Sequence, residues 1–288
     1  MTTILIRYGE TGLKGEPVRN RFERLLVENM MLAHKNANVS CLFDRQRGRI
    51  FASSDSPDKT VDILSKTFGV VSFSPVEECT SEPEEIARLA VSLASRALRQ
   101  GMSFAVRARR TGDHTYSSME LAALVGEKVL EASRELGTSV DLETPEFEIF
   151  IEVRNNRAFV FTENIPGPGG LPLRSQGRVL AIIEDRKSLL AAWFMMRRGC
   201  TTILLNQSDL STREIELLKP WNPWWNGFIE STDPLEIMKL KNCAGVSVGW
   251  TLEEFDSREK IRAGVPVFYP LIGMTKEEID ERMAGLFG

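Results

Sequence analysis

The sequence predicts a protein of mixed α/β and α+β class, in which two small α+β regions precede a doubly wound parallel sheet. From residue 1 to residue 76, strand and helix patterns follow one another in the order βαββαβ. An unbroken apolar run at Val179–Ile183 then precedes a helix pattern at Leu189–Arg198, and strands and helices alternate from there almost to the last residue. Because repeated βα units form parallel sheets covered by helices on both faces, this alternation predicts the third region.

The first region, residues 1–76, matches a split βαβ, or ferredoxin-like, unit. Phe22, Leu26 and Met30 recur at the spacing of one helical face, and Gly48 marks a turn between two strands. The predicted elements are strands over 2–8, 39–43, 49–53 and 70–76 and helices over 20–34 and 56–68.

The second region, residues 77–165, combines two helices, a basic strand and a hairpin. Ser81 and Glu84 predict a capping box for a helix that continues to Gln100, and Ser117 and Glu120 predict a second box. The segments FEIFIEV and RAFVFTE, joined by two asparagines, predict the hairpin.

The basic strand of this region, residues 103–112, has two different faces. Apolar residues from Phe104 to Ala108 share one face, and Arg107 and Arg109 share the other. Two interpretations stay open: these arginines contact RNA phosphates and sugars, or they lie on a solvated face and pair with nearby acids. The candidate RNA contacts are Arg107, Arg109, Arg110 and His114, with Lys14 and Arg19 after the first strand as weaker candidates.

Composition restricts the classes of function. The formal net charge of −4 and the pI near 5.5 argue against indiscriminate nucleic-acid binding but allow a local basic patch. No apolar run approaches the roughly 20 residues of a membrane span, so we expect a cytoplasmic protein without a membrane partner. Two histidines and four scattered cysteines argue against a His-based triad, a disulfide framework and a metal site.

The turn between the apolar run and its helix has the sequence EDRKS, which is unusual for a nucleotide site. A strand, a tight turn and a helix bind phosphate when the turn is rich in glycine, because backbone N–H groups and the helix dipole then face the anion. Here Glu184 and Asp185 place two carboxylates near that position, and the turn has no glycine. Either Arg186 and Lys187 hold phosphate electrostatically, or Ser188 or Asp185 caps the helix of a plain turn.

Several blocks of the sequence resemble one enzyme family. GPGGLPL, VLAII and LLAAWFMMRRGC resemble the entry to the PP-loop domain of tRNA 4-thiouridine synthases, also called tRNA sulfurtransferases, and VPVFYPLIGMTKEEI resembles a late strand and helix of that domain. SFAVRARRTG and ELAALVGEKVL resemble the THUMP domain, an RNA-binding module of tRNA-modifying enzymes. RYGETGLKG and FGVVSFSPV resemble the ferredoxin-like domain that precedes it.

The resemblance implies three domains: a ferredoxin-like domain at 1–76, a THUMP domain at 77–165 and a PP-loop domain at 166–288. In the family, the PP-loop domain adenylates a uridine carbonyl with ATP, and a cysteine persulfide then supplies sulfur. The family motif Ser-Gly-Gly-X-Asp-Ser is matched here only by Ser188, and no family-like cysteine segment is present.

From the resemblance we expect a tRNA-binding protein with a degenerate PP-loop, that is, a pseudoenzyme without a cofactor or a catalytic residue. The alternative is an active tRNA sulfurtransferase that forms 4-thiouridine with ATP and Mg²⁺ through an unorthodox loop, so whether the chain is an enzyme stays open. The expected partner is tRNA. The resemblance also admits a second copy of the chain and a separate tRNA-modifying or sulfur-carrier protein.

Two further groups of residues have open roles. Cys200 and Cys243 are either sulfur carriers or small buried residues, and a sulfur carrier needs an accessible, electropositive setting. Trp221, Trp224 and Trp225 either pack inside the protein, stack on bases, or form the contact surface of a protein-interaction scaffold.

Overall fold

The computed structural model describes residues 1–9, 15–46, 48–231 and 233–288, which form two compact units. Unit 1 comprises Met1–Ile6, Asp44–Pro57 and Phe73–Ile165, and unit 2 comprises Arg7–Phe43, Asp58–Ser72 and Pro166–Gly288. The N-terminal region therefore contributes residues to both units, and the division into three consecutive domains stays a prediction.

The first region has the predicted βαββαβ order. Its helix α1 begins at Glu16, earlier than predicted, because Pro17 is well tolerated in a first helical turn. Its second helix ends at Ser65 and not at Phe68, because Thr67 bonds back to Leu64 in a tighter turn. The elements are β1 (Thr2–Tyr8), α1 (Glu16–Asn36), β2 (Cys41–Gln46), β3 (Arg49–Ser54), α2 (Pro57–Ser65) and β4 (Val70–Thr80).

The second region contains the predicted helices, basic strand and hairpin. The capping box at Ser117 is confirmed, since its side chain accepts from the Glu120 N–H at 3.1 Å. The box predicted at Ser81 is wrong: the helix begins at Pro83, after Glu82, and has no side-chain cap. The elements are α3 (Pro83–Ala97), β5 (Ser103–Thr111), α4 (Ser118–Ala132), β6 (Ser139–Val140), β7 (Phe147–Arg154), β8 (Arg157–Phe161) and β9 (Ile165–Pro166).

The strands of these two regions form one sheet in the order β2-β3-β1-β4-β8-β7-β5-β6, with β9 paired to β4. One face of the sheet in unit 1 is covered by α3 and α4, whose buried side chains include Ile86, Ala90, Leu121 and Val125. On the opposite face the rings of Phe51 and Phe159 lie 4.6 Å apart, although β1 and β4 separate their strands. This part of the sheet is therefore strongly curled, as the natural twist of β-sheets permits.

The C-terminal region is the predicted parallel sheet. Its strand order is β12-β11-β10-β13-β14, and every pair of neighbours is parallel. Thr251 and Glu254 predict a capped helix through Arg262, but helix α8 ends at Ser257 because the backbone of Arg258 is extended. The elements are β10 (Arg178–Ile183), α5 (Lys187–Arg197), β11 (Thr201–Asn206), α6 (Thr212–Ile215), β12 (Ile229–Glu230), α7 (Pro234–Leu240), β13 (Gly245–Ser247), α8 (Leu252–Ser257), β14 (Val267–Phe268) and α9 (Lys276–Phe287).

Strand β10 is buried on both faces, as its apolar run predicts. Ala181 and Ile183 belong to a core that includes α5 and α9, whereas Leu180 and Ile182 belong to a second core with Met238 of α7. Two helical layers therefore enclose the strand whose end carries the EDRKS turn.

Two of the three tryptophans with open roles, Trp221 and Trp224, contact other side chains of unit 2. Trp221 is 8% exposed, and its ring lies 5.6 Å from Phe68 and 5.4 Å from Trp193. Trp224 is 40% exposed, but its indole N–H donates to Asn29 at 2.8 Å and its ring lies 4.2 Å from the Arg174 guanidinium. Both rings therefore have structural partners within unit 2.

Among the described residues, no helix combines the length and the apolar character that crossing a membrane requires.

The glycine pair before Leu171 gives a stability prediction. Gly170 has φ +75°, and a Cβ there would lie 2.2 Å from the Arg197 carbonyl oxygen, which accepts the Leu171 N–H. Gly264 has φ +69° with nothing within 4 Å of its would-be Cβ. Gly264→Ala should cost about 1 kcal/mol for its backbone conformation alone. Gly170→Ala should cost clearly more, measured as the loss of thermal stability of each variant. Equal losses would contradict the close approach of this loop to α5.

Candidate nucleotide loop and nucleic-acid interface

The topology of unit 2 specifies where a nucleotide site would lie. Strand β10 is followed along the chain by β11 on one side, whereas β13 pairs with its other edge. Ligands of open α/β sheets bind beyond the carboxyl ends of the strands at such a switch point. In this chain, Glu184–Ser188 follow β10 and Val248–Trp250 follow β13, so these two segments form the candidate site.

The side chain of Asp185 occupies the anion position at the start of α5. Its Oδ1 accepts the Ser188 N–H at 3.0 Å and the Ser188 hydroxyl at 2.8 Å. The same Ser188 hydroxyl oxygen accepts the Glu184 N–H at 3.3 Å. Of the two caps considered from the sequence, Asp185 is therefore the one that contacts a first-turn amide of α5, where a bound phosphate would otherwise accept.

The cations of the loop are paired with acids of the chain. The Lys187 ammonium contacts Asp185 Oδ2, and it also donates to Glu254 Oε1 at 3.1 Å. Arg258 bridges the same group, at 3.0 Å from Glu184 Oε2 and 3.1 Å from Glu254 Oε1. Three carboxylates and two cations thus form one network, and Lys187 has no free charge to offer a phosphate.

Hydrogen bonds lower the pKa values of two acids of this network, Asp185 and Glu254. Burial alone would raise the pKa of Asp185, but the hydrogen bonds from Lys187 and Ser188 outweigh it and hold the pKa below its ordinary value. In the same way, burial would raise the pKa of Glu254, but the Thr251 N–H and Lys187 lower it overall. The pKa of Lys187 is raised, because its bonds to Asp185 and Glu254 outweigh the cost of burying its charge.

Backbone and aromatic packing close the crevice between β10 and β13. A Cβ on Gly249 would lie 2.8 Å from both the Cα and the Oγ of Ser188, so the two backbones are in close contact. Next to it, the Trp250 indole N–H donates to Glu184 Oε2 at 2.7 Å, and the Arg258 guanidinium lies over the Trp250 ring at 5.2 Å. Only Gly fits at position 249 without displacing the start of α5.

Four further residues belong to this site although the sequence does not single them out: Gly249, Trp250, Glu254 and Arg258. The capping box at Thr251 and Glu254 was visible in the sequence, and Arg258 follows Glu254 at helical i,i+4 spacing. From that spacing the contact between Glu254 and Arg258 could have been predicted. Arg186, in contrast, is exposed and has no ion pair with any described residue.

The basic strand β5 in unit 1 presents its arginines in different states. Arg107 is paired, at 2.9 Å from Glu148 on β7, and also donates to the Leu142 carbonyl at 2.8 Å. The Arg109 side chain is exposed and forms no ion pair or hydrogen bond with a described residue. Its neighbour in the β5–β7 register, Glu152, pairs instead with Arg49 at 2.9 Å. Arg107 therefore matches the paired interpretation, whereas contact of Arg109 with RNA stays a prediction.

The remaining candidates lie near strand ends. Arg110 is exposed and donates to the Gly112 carbonyl at 3.0 Å. His114 is half-buried, with Nε2 3.3 Å from the Thr111 carbonyl and its ring 5.3 Å from Tyr116. In unit 2, Arg19 lies 3.8 Å from Glu23, and Lys14 lies outside the described residues.

The cysteines do not have the setting of sulfur carriers. Cys200 and Cys243 are each 8% exposed, and burial raises the pKa of both thiols despite nearby arginine or lysine charges. Burial also raises the pKa of Cys41 and of Cys79 to about 11. Within the described ranges, no three His, Cys, Asp or Glu residues are grouped to hold a metal ion.

The Asp185 cap gives a pH-dependent prediction. Asp185→Ala should lower the free energy of unfolding by about 1–2 kcal/mol at neutral pH, as for other helix caps. Because the folded pKa of Asp185 is depressed, this stabilisation is present above the unfolded pKa and is lost as the pH falls below about 4.

Urea unfolding of both proteins between pH 7 and pH 3 measures this difference. Asp209→Ala is the matched control, since Asp209 is an exposed acid of the same region without a described ion pair. A cost for Asp185→Ala that stays constant down to pH 3, or that equals the control, would contradict the cap.

Comparison with known proteins identifies the domains. A model of the ThiI ferredoxin-like domain matches residues 3–74, and a model of the THUMP domain matches residues 81–163. The fold matches the crystal structure of PH1313 from Pyrococcus horikoshii Ot3, with a TM-score of 0.83, 30% identity and 99% of each chain covered. It also matches a 4-thiouridine synthetase in a structure with RNA and ATP, with a TM-score of 0.78, 22% identity, and 99% of this chain and 85% of that chain covered, which supports the fold alone.

Curated relatives extend the match to the whole chain. The probable tRNA sulfurtransferase of Methanosarcina mazei is 31% identical over 326 residues, covering 96% of this chain and 80% of the relative. The tRNA sulfurtransferase of Pyrobaculum aerophilum is 35% identical, covering 97% and 65%. For the probable tRNA sulfurtransferase of Methanobrevibacter smithii, 39% identical over 70% of this chain, the match spans about half of the relative's length, 53%. The chain therefore belongs to the tRNA sulfurtransferase family.

Proposed function

We propose that this chain binds tRNA and does not activate it with ATP. The observation that carries the proposal is the Asp185 carboxylate on the Ser188 N–H, at the place where a nucleotide phosphate would accept. A bound phosphate would have to displace this carboxylate and separate Lys187 from two acids. Three negatively charged groups would then share the site: the phosphate and the carboxylates of Asp185 and Glu184.

Electrostatics makes that displacement unfavourable. Two like charges at about 4 Å repel by roughly 1 kcal/mol in water and by about 4 kcal/mol near a protein surface. Asp185 is half-buried, and the Lys187 and Ser188 hydrogen bonds that hold its pKa below the ordinary value are the contacts that a phosphate would break. The displaced carboxylate would also lose its hydrogen bonds to Ser188. These costs oppose the binding of ATP and favour a loop that has lost adenylation.

The sequence of the loop supports the same conclusion. The family motif places two glycines between strand and helix, where this chain has Glu184, Asp185, Arg186 and Lys187. The alignment with the Methanosarcina mazei relative runs over 326 residues, more than the 288 of this chain, so the relative contains residues that have no counterpart here.

The proposed tRNA contacts lie in unit 1. The THUMP model covers β5, and the curated relatives are named for their action on tRNA. Arg109 and Arg110 are exposed and form no ion pair with a described residue, and Arg110 donates to the Gly112 carbonyl. Charged side chains of this kind contact phosphates without reading the base sequence. His114 at the end of the strand, and Lys14 and Arg19 elsewhere, remain weaker candidates.

The alternative, an active sulfurtransferase, is favoured by family membership. It requires nucleotide binding through a loop whose Lys187 is paired, and it requires a sulfur-carrying thiolate. Cys200 and Cys243 are buried and their thiol pKa values are raised, which opposes that role. A chain that binds tRNA without modifying it would present the tRNA to a separate tRNA-modifying or sulfur-carrier protein, or would pair with a second copy of itself.

The first test measures tRNA-dependent release of pyrophosphate from Mg-ATP by the purified full chain, with unmodified bulk tRNA at low salt. We expect no release above the control without tRNA, together with retention of tRNA on the protein. Release well above the control would overturn the loss of adenylation and support the alternative. Absence of tRNA retention would overturn the binding proposal.

The second test concerns the tRNA contacts. Arg109→Glu should weaken tRNA binding by about tenfold or more and reduce its salt dependence, because a phosphate contact becomes a repulsion. Arg134→Glu is the matched control, since Arg134 is an exposed arginine of unit 1 that lies just after the C-terminal end of α4. Filter binding over a range of salt concentrations measures both. Equal affinities for the two variants would exclude Arg109 as a contact.

A further inference from the structure

Unit 2 contains a second concave site, at the other end of α5 from the EDRKS turn. It is a cavity of about 450 Å³ between the C-terminal half of α5, the glycine loop at Gly170 and the end of β14. Helix α5 separates the two sites by about 15 Å, given a rise of 1.5 Å per residue. The size of this cavity is typical of pockets for small organic ligands. None of the roles discussed above uses it.

Two arginines at this cavity lack acidic partners. Arg197 is held in place, because its Nε donates to the Pro168 carbonyl at 2.9 Å and its guanidinium lies over Trp193 at 5.7 Å. Arg198 is exposed, and neither arginine forms an ion pair with a described residue. The chain has 40 acidic and 36 basic side chains, so two adjacent unpaired arginines are not forced by a shortage of acids. They give the cavity a positive edge.

The same two arginines also complement the C-terminal dipole of α5, which is a structural role. A dipole complement, however, does not require an open cavity or aromatic walls. The cavity is lined by Phe194, Phe268 and Tyr269. The ring of Tyr269 is fixed by Phe255, at 4.9 Å between centroids, while Phe268 is 39% exposed.

A planar aromatic group attached to an anion fits this combination. Aromatic walls stack on bases irrespective of sequence, and arginine recognises phosphate with its planar fork of donors. We propose that this cavity binds a 5′-phosphorylated nucleotide, with the base against Phe268 and the phosphate at Arg197 and Arg198. The nucleotide is either free in solution or the phosphorylated end of an RNA. The proposal does not depend on whether the EDRKS turn supports adenylation.

The probe is a 5′-phosphorylated trinucleotide, pUUU, with a fluorophore at its 3′ end, and its anisotropy is measured with the full chain at low salt. The matched probe is the same trinucleotide with a 5′-hydroxyl. Arg198→Glu should weaken binding of pUUU by at least about tenfold, as loss of a charge-assisted contact does. Phe268→Leu keeps the apolar volume but removes stacking, and it should weaken binding by about threefold or more.

Arg213→Glu is the control, because Arg213 is an exposed arginine of the same unit without a described ion pair. It should leave the affinity within about twofold of the unmodified chain. Displacement of the probe by UMP or AMP would assign the site to free nucleotides, and displacement only by unlabelled pUUU would assign it to RNA ends. Absence of binding below millimolar probe overturns the proposal. Equal weakening by Arg198→Glu and Arg213→Glu, or equal affinity for the two trinucleotides, overturns it as well.

Discussion

The hydrogen bond from the Ser188 N–H to the Asp185 carboxylate determines what the C-terminal sheet can do. In a phosphate-binding loop, the first amides of the helix are left open for the ligand. Here the chain satisfies one of them with its own anion, and Lys187 then serves that anion and Glu254. Gly249 closely approaches Ser188 beside this hydrogen bond, so the segments that follow β10 and β13 are in contact there. The parallel sheet and its strand–turn–helix entry are present, and the Asp185 carboxylate lies against the first turn of α5.

In unit 1, pairing of charges within the chain likewise decides which side chains are available to a ligand, but there it leaves Arg109 unpaired among the described residues. Its curled sheet brings Arg49 of β3 to Glu152 of β7, and the same carboxylate also pairs with Arg154. Arg107 joins this pattern through Glu148, whereas Arg109 does not. Pairing within the chain therefore identifies the residues available to a polyanion better than the count of basic residues does. The negative net charge of the whole chain is compatible with a local contact surface of this kind.

The sequence predicted the strand and helix order well, because that order depends on local patterns. The apolar run of β10 and the capping box at Ser117 are examples, and both are present in the structure. The start of α3 was mispredicted, because Pro83 favours the first helical turn and leaves the Ser81 side chain outside it. The pairing of Lys187 with Glu254 was not predictable, since it joins residues far apart in the chain through the geometry of the parallel sheet. Whether an arginine is paired or free depends in the same way on a neighbouring strand.

The central claim is that the chain itself occupies the anion position at the start of α5. Hydrogen exchange of the Ser188 amide, measured with and without millimolar Mg-ATP, tests it most directly. The Ser188 N–H donates to the carboxylate of Asp185 at 3.0 Å and to its backbone carbonyl at 3.2 Å, so this amide should exchange slowly and Mg-ATP should leave the rate unchanged. Fast exchange that becomes slow only when Mg-ATP is added would show an open site that binds phosphate, and would contradict the account.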